Sequence, residues 1–280
     1  MGSYLRPTTI DDALAALAAK RHTILAGGTD FYPARVGRPL RDDVLDITGL
    51  AALRTIKDEG EAWRIGCLAT WTDLVRKPLP PCFDGLKQAA RAIGGVQIQN
   101  AGTLCGNVCN ASPAADGIPN LLALDAEVEL ASLRGERRVP LAAFVTGNRM
   151  TARQGDELVT ALLVPKPRRP ARSRFLKLGA RKYLVISIVM AAGVIEAAED
   201  GRVAAARIAI GACSAVAQRL PALEAVLRGR ALDAKLGNAV SPAHLAPLSP
   251  IDDVRGAAAY RRDAALTMLR RLLGELGAGA

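Results

Sequence analysis

Gly94–Leu124 reads GGVQIQNAGTLCGNVCNASPAADGIPNLLAL, and the chain is organised around it. Its two ends have the apolar content of packed structure, while Asn100–Asp116 concentrates small residues, turn formers and short polar side chains. Gly102, Gly106 and Gly117 permit backbone turns that a side chain at Cβ would resist. Thr103, Asn107, Asn110 and Ser112 add short-range hydrogen-bonding groups. A segment of this kind can turn several backbone N–H groups toward one anion, the concave arrangement that phosphates occupy. Far upstream, ILAGGTDF (Ile24–Phe31) places a second glycine turn at the end of an apolar run. Two such turns facing each other suit a ligand with two linked phosphates. Neither stretch has the GxxxxGK(S/T) or GxGxxG spacing of the common nucleotide motifs, so spacing alone points only to a phosphate-bearing ligand.

The bulk composition narrows the classes. With 280 residues, one large or two medium domains are expected, and 50% hydrophobic with 23% charged residues is a globular balance. The formal charge of +10 is compatible with nucleic acid, an anionic membrane face, an acidic partner or an anionic cofactor. Aromatics are only 4%, which argues against a platform for stacking single-stranded bases, and no nucleic-acid partner is expected. MGSYLRPTTIDD reaches acidic residues without the basic and apolar regions of a secretory signal. The longest apolar run, Tyr183–Ile195, falls short of the roughly 20 residues of a membrane helix, so a soluble cytoplasmic protein with no membrane span is expected. Five cysteines, an odd number, read as reduced thiols rather than a disulfide framework.

Along the chain, Thr9 and the acidic pair Asp11 and Asp12 start a helix over Ile10–Lys20. A strand at 22–26 then feeds the Gly27–Gly28 turn. Further strands are expected at 44–47, from 53 to 56, and at 63–66, and a helix begins after Ala69 with Thr70 or Thr72 as its cap. A helix over 85–93 leads into the second glycine-rich segment, and 120–124 is helical. Strands follow at 127–132, 137–140 and 158–164. Pro165-Lys-Pro-Arg-Arg-Pro170 is a stiff, basic linker and marks a domain boundary. Beyond it come strands at 173–178, at 185–195 with a break at Ala192–Gly193, and at 203–212. Helices at 221–227 and 257–276 end the pattern, that of an α+β domain in which an antiparallel sheet packs on helices.

Catalytic side chains are scarce. Cys105 and Cys109 lie four apart with no second pair or nearby histidine to complete a tetrahedral metal site. There is no GxSxG or HExxH, and the only two histidines, His22 and His244, lie outside polar clusters. No catalytic residue and no metal ligand is expected in this chain. A redox cofactor that carries its own chemistry suits such a protein.

The pair AGGTD (Ala26–Asp30) and NAGTLCGNVCNASPAAD (Asn100–Asp116), followed by LLALDA (Leu121–Ala126), resembles the FAD-binding subunits of molybdenum hydroxylases. That family includes the medium subunit of aerobic carbon monoxide dehydrogenase and the flavin domain of xanthine dehydrogenase. The resemblance continues through RIAIGACSAVAQR (207–219) and DDVRGAAAYRRDAALTMLRRLL (252–273), and so covers nearly the whole chain. It implies an α+β fold: a FAD-binding domain of the vanillyl-alcohol-oxidase (PCMH) type at 1–165, with subdomains about 1–57 and 58–165, then a smaller domain at 171–280. By resemblance, Leu25, Ala26, Gly27, Gly28, Thr29, Asp30 and Phe31 wrap the diphosphate and ribityl region of FAD. Gly102, Thr103, Gly106 and Asn107 form the opposing wall, with Cys109 and Asn110 near the dinucleotide. Asp116 matches an acidic residue that contacts FAD, Ile93 and Val159 match apolar neighbours of the cofactor, and Lys177 and Tyr183 match positions by the flavin ring.

The implied activity is that of an oxidoreductase subunit. FAD in this chain would take electrons from the 2Fe-2S clusters of a small subunit and pass them to a quinone, O2 or NAD+. A large subunit would carry the molybdenum cofactor, and the whole would be a dimer of heterotrimers. The alternative is a stand-alone flavin-dependent reductase of the same fold. Two positions depart from the family pattern. Cys105 replaces the first Gly of GGN, which would be strained if that site needs φ > 0. Val185 stands where relatives carry an acidic residue, which leaves the electron acceptor open.

Overall fold

The computed structural model describes residues 2–37 and 39–279; the outermost residues of the two expected domains, Met1 and Ala280, lie outside the described residues. The chain builds a small parallel sheet first. β1 (Tyr4–Leu5), β2 (Thr23–Leu25) and β3 (Val44–Asp46) pair in the order β1-β3-β2, with α1 (Ile10–Ala19) between the first two. Thr9 caps α1 as the sequence suggests, its hydroxyl accepting from the Asp12 N–H, and Ala13, Leu14 and Leu17 form the buried face.

A five-stranded antiparallel sheet follows, in the order β4-β5-β10-β6-β7: β4 (Ile56–Asp58), β5 (Ala62–Gly66), β6 (Glu127–Ser132), β7 (Gly135–Pro140) and β10 (Leu158–Pro165). Between β5 and β6 lie α2 (Trp71–Arg76), α3 (Asp84–Ala92), α4 (Val96–Ala101), α5 (Leu104–Asn110) and α6 (Gly117–Ala123). Thr70, not Thr72, caps α2, through a reciprocal box with Asp73. Between β7 and β10 run α7 (Leu141–Phe144) and the short hairpin of β8 (Val145–Gly147) and β9 (Met150–Thr151).

The glycine-rich segment is more helical than its composition suggests. Thr103 caps α5 by accepting from the Gly106 N–H, and Leu104, Cys105 and Val108 are buried on its inner face, so tertiary burial holds a helix across a run of poor helix formers. Cys105 has helical backbone and is absent from the residues with positive φ, so the strain that its replacement of Gly would imply does not arise.

The remainder is a four-stranded antiparallel sheet in the order β11-β12-β13-β14: β11 (Ala171–Leu178), β12 (Val189–Ala197), β13 (Val203–Gly211) and β14 (Gln218–Arg219). α8 (Pro221–Leu227) and α9 (Ala258–Ala278) cover one face. The other face meets α3 and α6 of the first half. Burial on both sides explains the apolar run of β12: Val189, Ala191 and Ile195 turn to the α9 side, and Met190, Ala192 and Val194 turn to the opposite side.

Gly193 does not break β12, contrary to the expectation from sequence. A Cβ there would lie 3.0 Å from Leu276 and 3.1 Å from Leu272, so the glycine makes room for α9. α9 also meets the turn Ala234–Ala239 backbone to backbone: a Cβ on Gly277 would sit 1.8 Å from the Asp233 carbonyl oxygen, and one on Gly237 2.2 Å from that of Arg270. Gly277→Ala is therefore expected to lower stability by about 1–3 kcal/mol, read as a lower urea midpoint. Helix propensity alone would favour Ala, so a raised midpoint would show that this contact is loose.

Candidate functional site

The two glycine turns meet. A Cβ on Gly27 would lie 1.9 Å from the carbonyl oxygen of Ala101 and 3.0 Å from Gly102 Cα, and one on Gly102 would lie 3.3 Å from Thr29 Oγ1. Only glycine allows this approach. Gly28 has φ +71, the left-handed region, and a Cβ there would meet the Tyr32 ring at 2.7 Å. The turn then runs Thr29, Asp30, Phe31 as single residues with no strand pairing. Among the described residues, the N–H groups of Gly27, Gly28, Thr29, Asp30 and Phe31 have no protein acceptor. Consecutive free donors around a left-handed glycine form an anion nest. A dinucleotide diphosphate fits that donor set.

The second segment is held rigidly under the first. Trp71, buried at the start of α2, lies beneath Gly102 and Gly117, 3.5 and 2.8 Å from the Cβ each would carry. Thr103 pairs with Thr70 as an isolated bridge, and the Trp71 N–H donates to the Gly102 carbonyl at 3.2 Å. Asn107 Oδ1 accepts from the Gly117 N–H and so fixes the start of α6 against α5. Asn110 Oδ1 accepts from Arg149, whose same nitrogen also reaches Asp30 Oδ2 at 3.0 Å, which ties the two turns together.

Asp116 looks inward. It is buried, with Oδ2 accepting from Lys177 Nζ at 2.6 Å and Oδ1 from the Ser187 hydroxyl at 2.6 Å. Burial pushes its carboxyl above the ordinary 3.8, against the opposing pull of Lys177 and the Ser187 hydroxyl. Lys177, on β11, also approaches the Ala92 carbonyl at 3.4 Å, next to Ile93 at the end of α3. Lys177 thus joins the two halves of the chain through Asp116, at the position that the resemblance matches to the neighbourhood of the flavin ring.

The other suggested residues lie around this centre. Leu25 is buried as the last residue of β2, and Ala26 opens the turn. Phe31 packs edge-on to Tyr32 under the Arg35 guanidinium. Val159 is buried in β10, where the register with β6 shifts. Gly106 lies in the first turn of α5, and a Cβ there would meet only Thr103 within 4 Å. Tyr183 is exposed on the loop between β11 and β12 with Lys182 over its ring. Val185 is on the same loop, against Gly179.

Cys109 is half-buried, packed against the first-half core, while Cys67 and Cys105 are buried in it. Burial pushes the Cys109 thiol up to about 11 and that of Cys67 to about 12, so both are apolar packing groups rather than nucleophiles. Among the described residues, no three His, Cys, Asp or Glu side chains are grouped to hold a metal ion. Sequence reasoning missed Arg149, Ser187 and Trp71. Of these, only Trp71 carried a local signal, a large apolar residue directly after a helix cap.

Comparison with known proteins gives the same picture. Residues 1–167 match the family described as the FAD binding domain in molybdopterin dehydrogenase, and residues 174–276 match the CO dehydrogenase flavoprotein C-terminal domain. The nicotine 6-hydroxylase medium subunit of Paenarthrobacter nicotinovorans is 31% identical over 98% of this chain and 97% of its own length. The xanthine dehydrogenase FAD-binding subunit of Escherichia coli O157:H7 is 30% identical over 99% and 97%. A chain of reconstituted CO dehydrogenase from Oligotropha carboxidovorans superposes with a TM-score of 0.91 at 29% identity, covering 100% of this chain and 99% of that one. With the paired turns, their free donors and these matches, the chain belongs to the FAD-binding medium subunits of the molybdenum hydroxylase family, an oxidoreductase family.

Proposed function

We propose that this chain carries FAD between the Ala26–Phe31 turn and the Gly102–Asn110 segment, and serves as the electron-transfer subunit of a heterotrimeric molybdenum hydroxylase. The observation that carries this reading is the meeting of the two turns through Gly27 and Gly102, with the free N–H groups of residues 27–31 beside it. When bound, FAD supplies the redox chemistry, exchanging electrons singly on one side and in pairs on the other. The protein's part is to hold it. The N–H groups of Gly27 to Phe31 would take the diphosphate. Thr103, Asn107 and Trp71 would keep the facing wall fixed. Asp116, Lys177 and Ser187 would hold the second half of the chain against it.

In this reading 1–165 is the FAD-binding domain, of PCMH type with subdomains about 1–57 and 58–165, and 171–280 is the second domain. A large subunit carries the molybdenum cofactor, and a small subunit delivers electrons from 2Fe-2S clusters. The pair assembles with this chain as a dimer of heterotrimers, and the final acceptor is a quinone, O2 or NAD+. The charge of +10 gives the chain a long-range attraction to acidic partner surfaces. The test is to purify the tagged full-length chain from its native host at low salt. Partner chains are then identified by mass spectrometry and the released cofactors measured. The expected result is one FAD per chain, with a molybdenum-containing and an iron–sulfur chain co-eluting. Flavin with no partner chain would point instead to a stand-alone reductase, and a colourless complex would end the flavin assignment.

A further inference from the structure

Arg149 lies just before β9, in the β8–β9 hairpin, and no motif singled it out. Its backbone has φ +56, and its N–H donates to the carbonyl of Ala111 at 2.9 Å; Ala111 itself has φ +47. Two non-glycine residues in the left-handed region are therefore locked to each other across the end of α5, an unfavourable conformation that persists only where its surroundings demand it. The outcome is the placement of one guanidinium nitrogen, Nη1, 3.0 Å from Asp30 Oδ2 and 2.5 Å from Asn110 Oδ1. Among the described residues, Nε and Nη2 of Arg149 have no acceptor. The Arg149 and Asp30 side chains are 56% and 51% exposed, so the pair adds little to folding stability and its placement calls for another reason.

Asp30 supplies that reason. It puts a carboxylate into the same turn whose free N–H groups make an anion nest. A negative charge there repels a phosphate unless it is cancelled. Arg149 cancels it and leaves two further donors in the fork geometry that phosphate oxygens accept.

We propose that Arg149 is a positioning residue for the ligand's diphosphate: it straps the two glycine turns together and neutralises Asp30, so that the turn accepts an anion. This rests on the flavin reading above. It is tested on the full chain stripped of flavin, titrated with FAD, ADP and riboflavin and followed by calorimetry. Arg149→Gln is expected to weaken FAD and ADP about tenfold, the loss of one charge-assisted contact, while riboflavin changes less than twofold. Asp30→Asn, which keeps an acceptor for Arg149 but removes the charge, is expected to bind ADP as tightly as the parent or more tightly. In the double variant, Asp30→Asn should restore a large part of what Arg149→Gln loses. Equal losses for FAD and riboflavin, unchanged ADP affinity in Arg149→Gln, or weaker ADP binding in Asp30→Asn would each overturn the proposal. If the parent chain binds none of the three ligands, it is the flavin reading that has failed.

Discussion

Lys177→Met is expected to cost about 3–5 kcal/mol of stability, because among the described residues it leaves a buried carboxylate with the Ser187 hydroxyl as its only side-chain partner. For a chain of this size, that is a fall in Tm on the order of 10 °C. The loss should depend on pH in a definite direction. Burial already holds the Asp116 carboxyl above its ordinary 3.8. The folded state therefore keeps that proton to higher pH than the unfolded state does. The resulting contribution is complete below the unfolded value and is lost as pH rises through the folded value. Removing the lysine takes away a charge that opposes burial and moves the folded value further up, so the loss extends over a wider alkaline range. Urea unfolding should show a larger deficit at pH 8 than at pH 5, and Asp116→Asn added to Lys177→Met should recover much of it. An equal deficit at both pH values, or no recovery in the double variant, would mean that the two side chains do not form an ion pair in solution.

The second large effect concerns the meeting of the turns. Gly27→Ala places a methyl group 1.9 Å from the Ala101 carbonyl oxygen, a backbone atom that cannot swing aside. Either the first turn or the end of α4 has to move. Displacement on that scale costs about 1–3 kcal/mol. Since Gly27 also opens the proposed diphosphate nest of residues 27–31, FAD affinity is expected to fall roughly 10- to 100-fold. The far-ultraviolet circular dichroism should be unchanged, because the substitution lies in a turn. Flavin absorbance per chain after gel filtration is the measurement, and full flavin retention in Gly27→Ala would remove this turn from the site.

Most regular elements were legible because their signals are local. Thr9 with Asp11 and Asp12 announces α1, the proline-rich run 165–170 falls between β10 and β11, and the apolar run within 183–195 foreshadows the strand β12. The glycine turns were legible as turns, and their partnership was expected only through family resemblance. What remained hidden depends on residues far away. Leu104 and Val108 are helical because a core lies behind them, although Gly106 and Asn107 beside them are poor helix formers. Gly193 looked like a break because nothing near it in sequence mentions Leu272 or Leu276. Asp116 matches a FAD-contacting residue by resemblance, and its bonds to Lys177 and Ser187, 61 and 71 residues downstream, leave no local trace in the sequence. Arg149 finds Asp30 across 119 residues, a distance over which TGNRM carries no hint.

The attachment of Asp116 to Lys177 and Ser187 has a consequence for biosynthesis. While the ribosome has exposed only the first 165 residues, the aspartate closing the second glycine-rich segment has neither of its later partners, and α3 and α6 have no β11–β13 sheet to rest on. The nascent chain is thus expected to reach a mature pocket only after the segment around Ser187 has left the exit tunnel. Flavin uptake then becomes a late event in the life of the polypeptide, and prematurely terminated products are left without the prosthetic group.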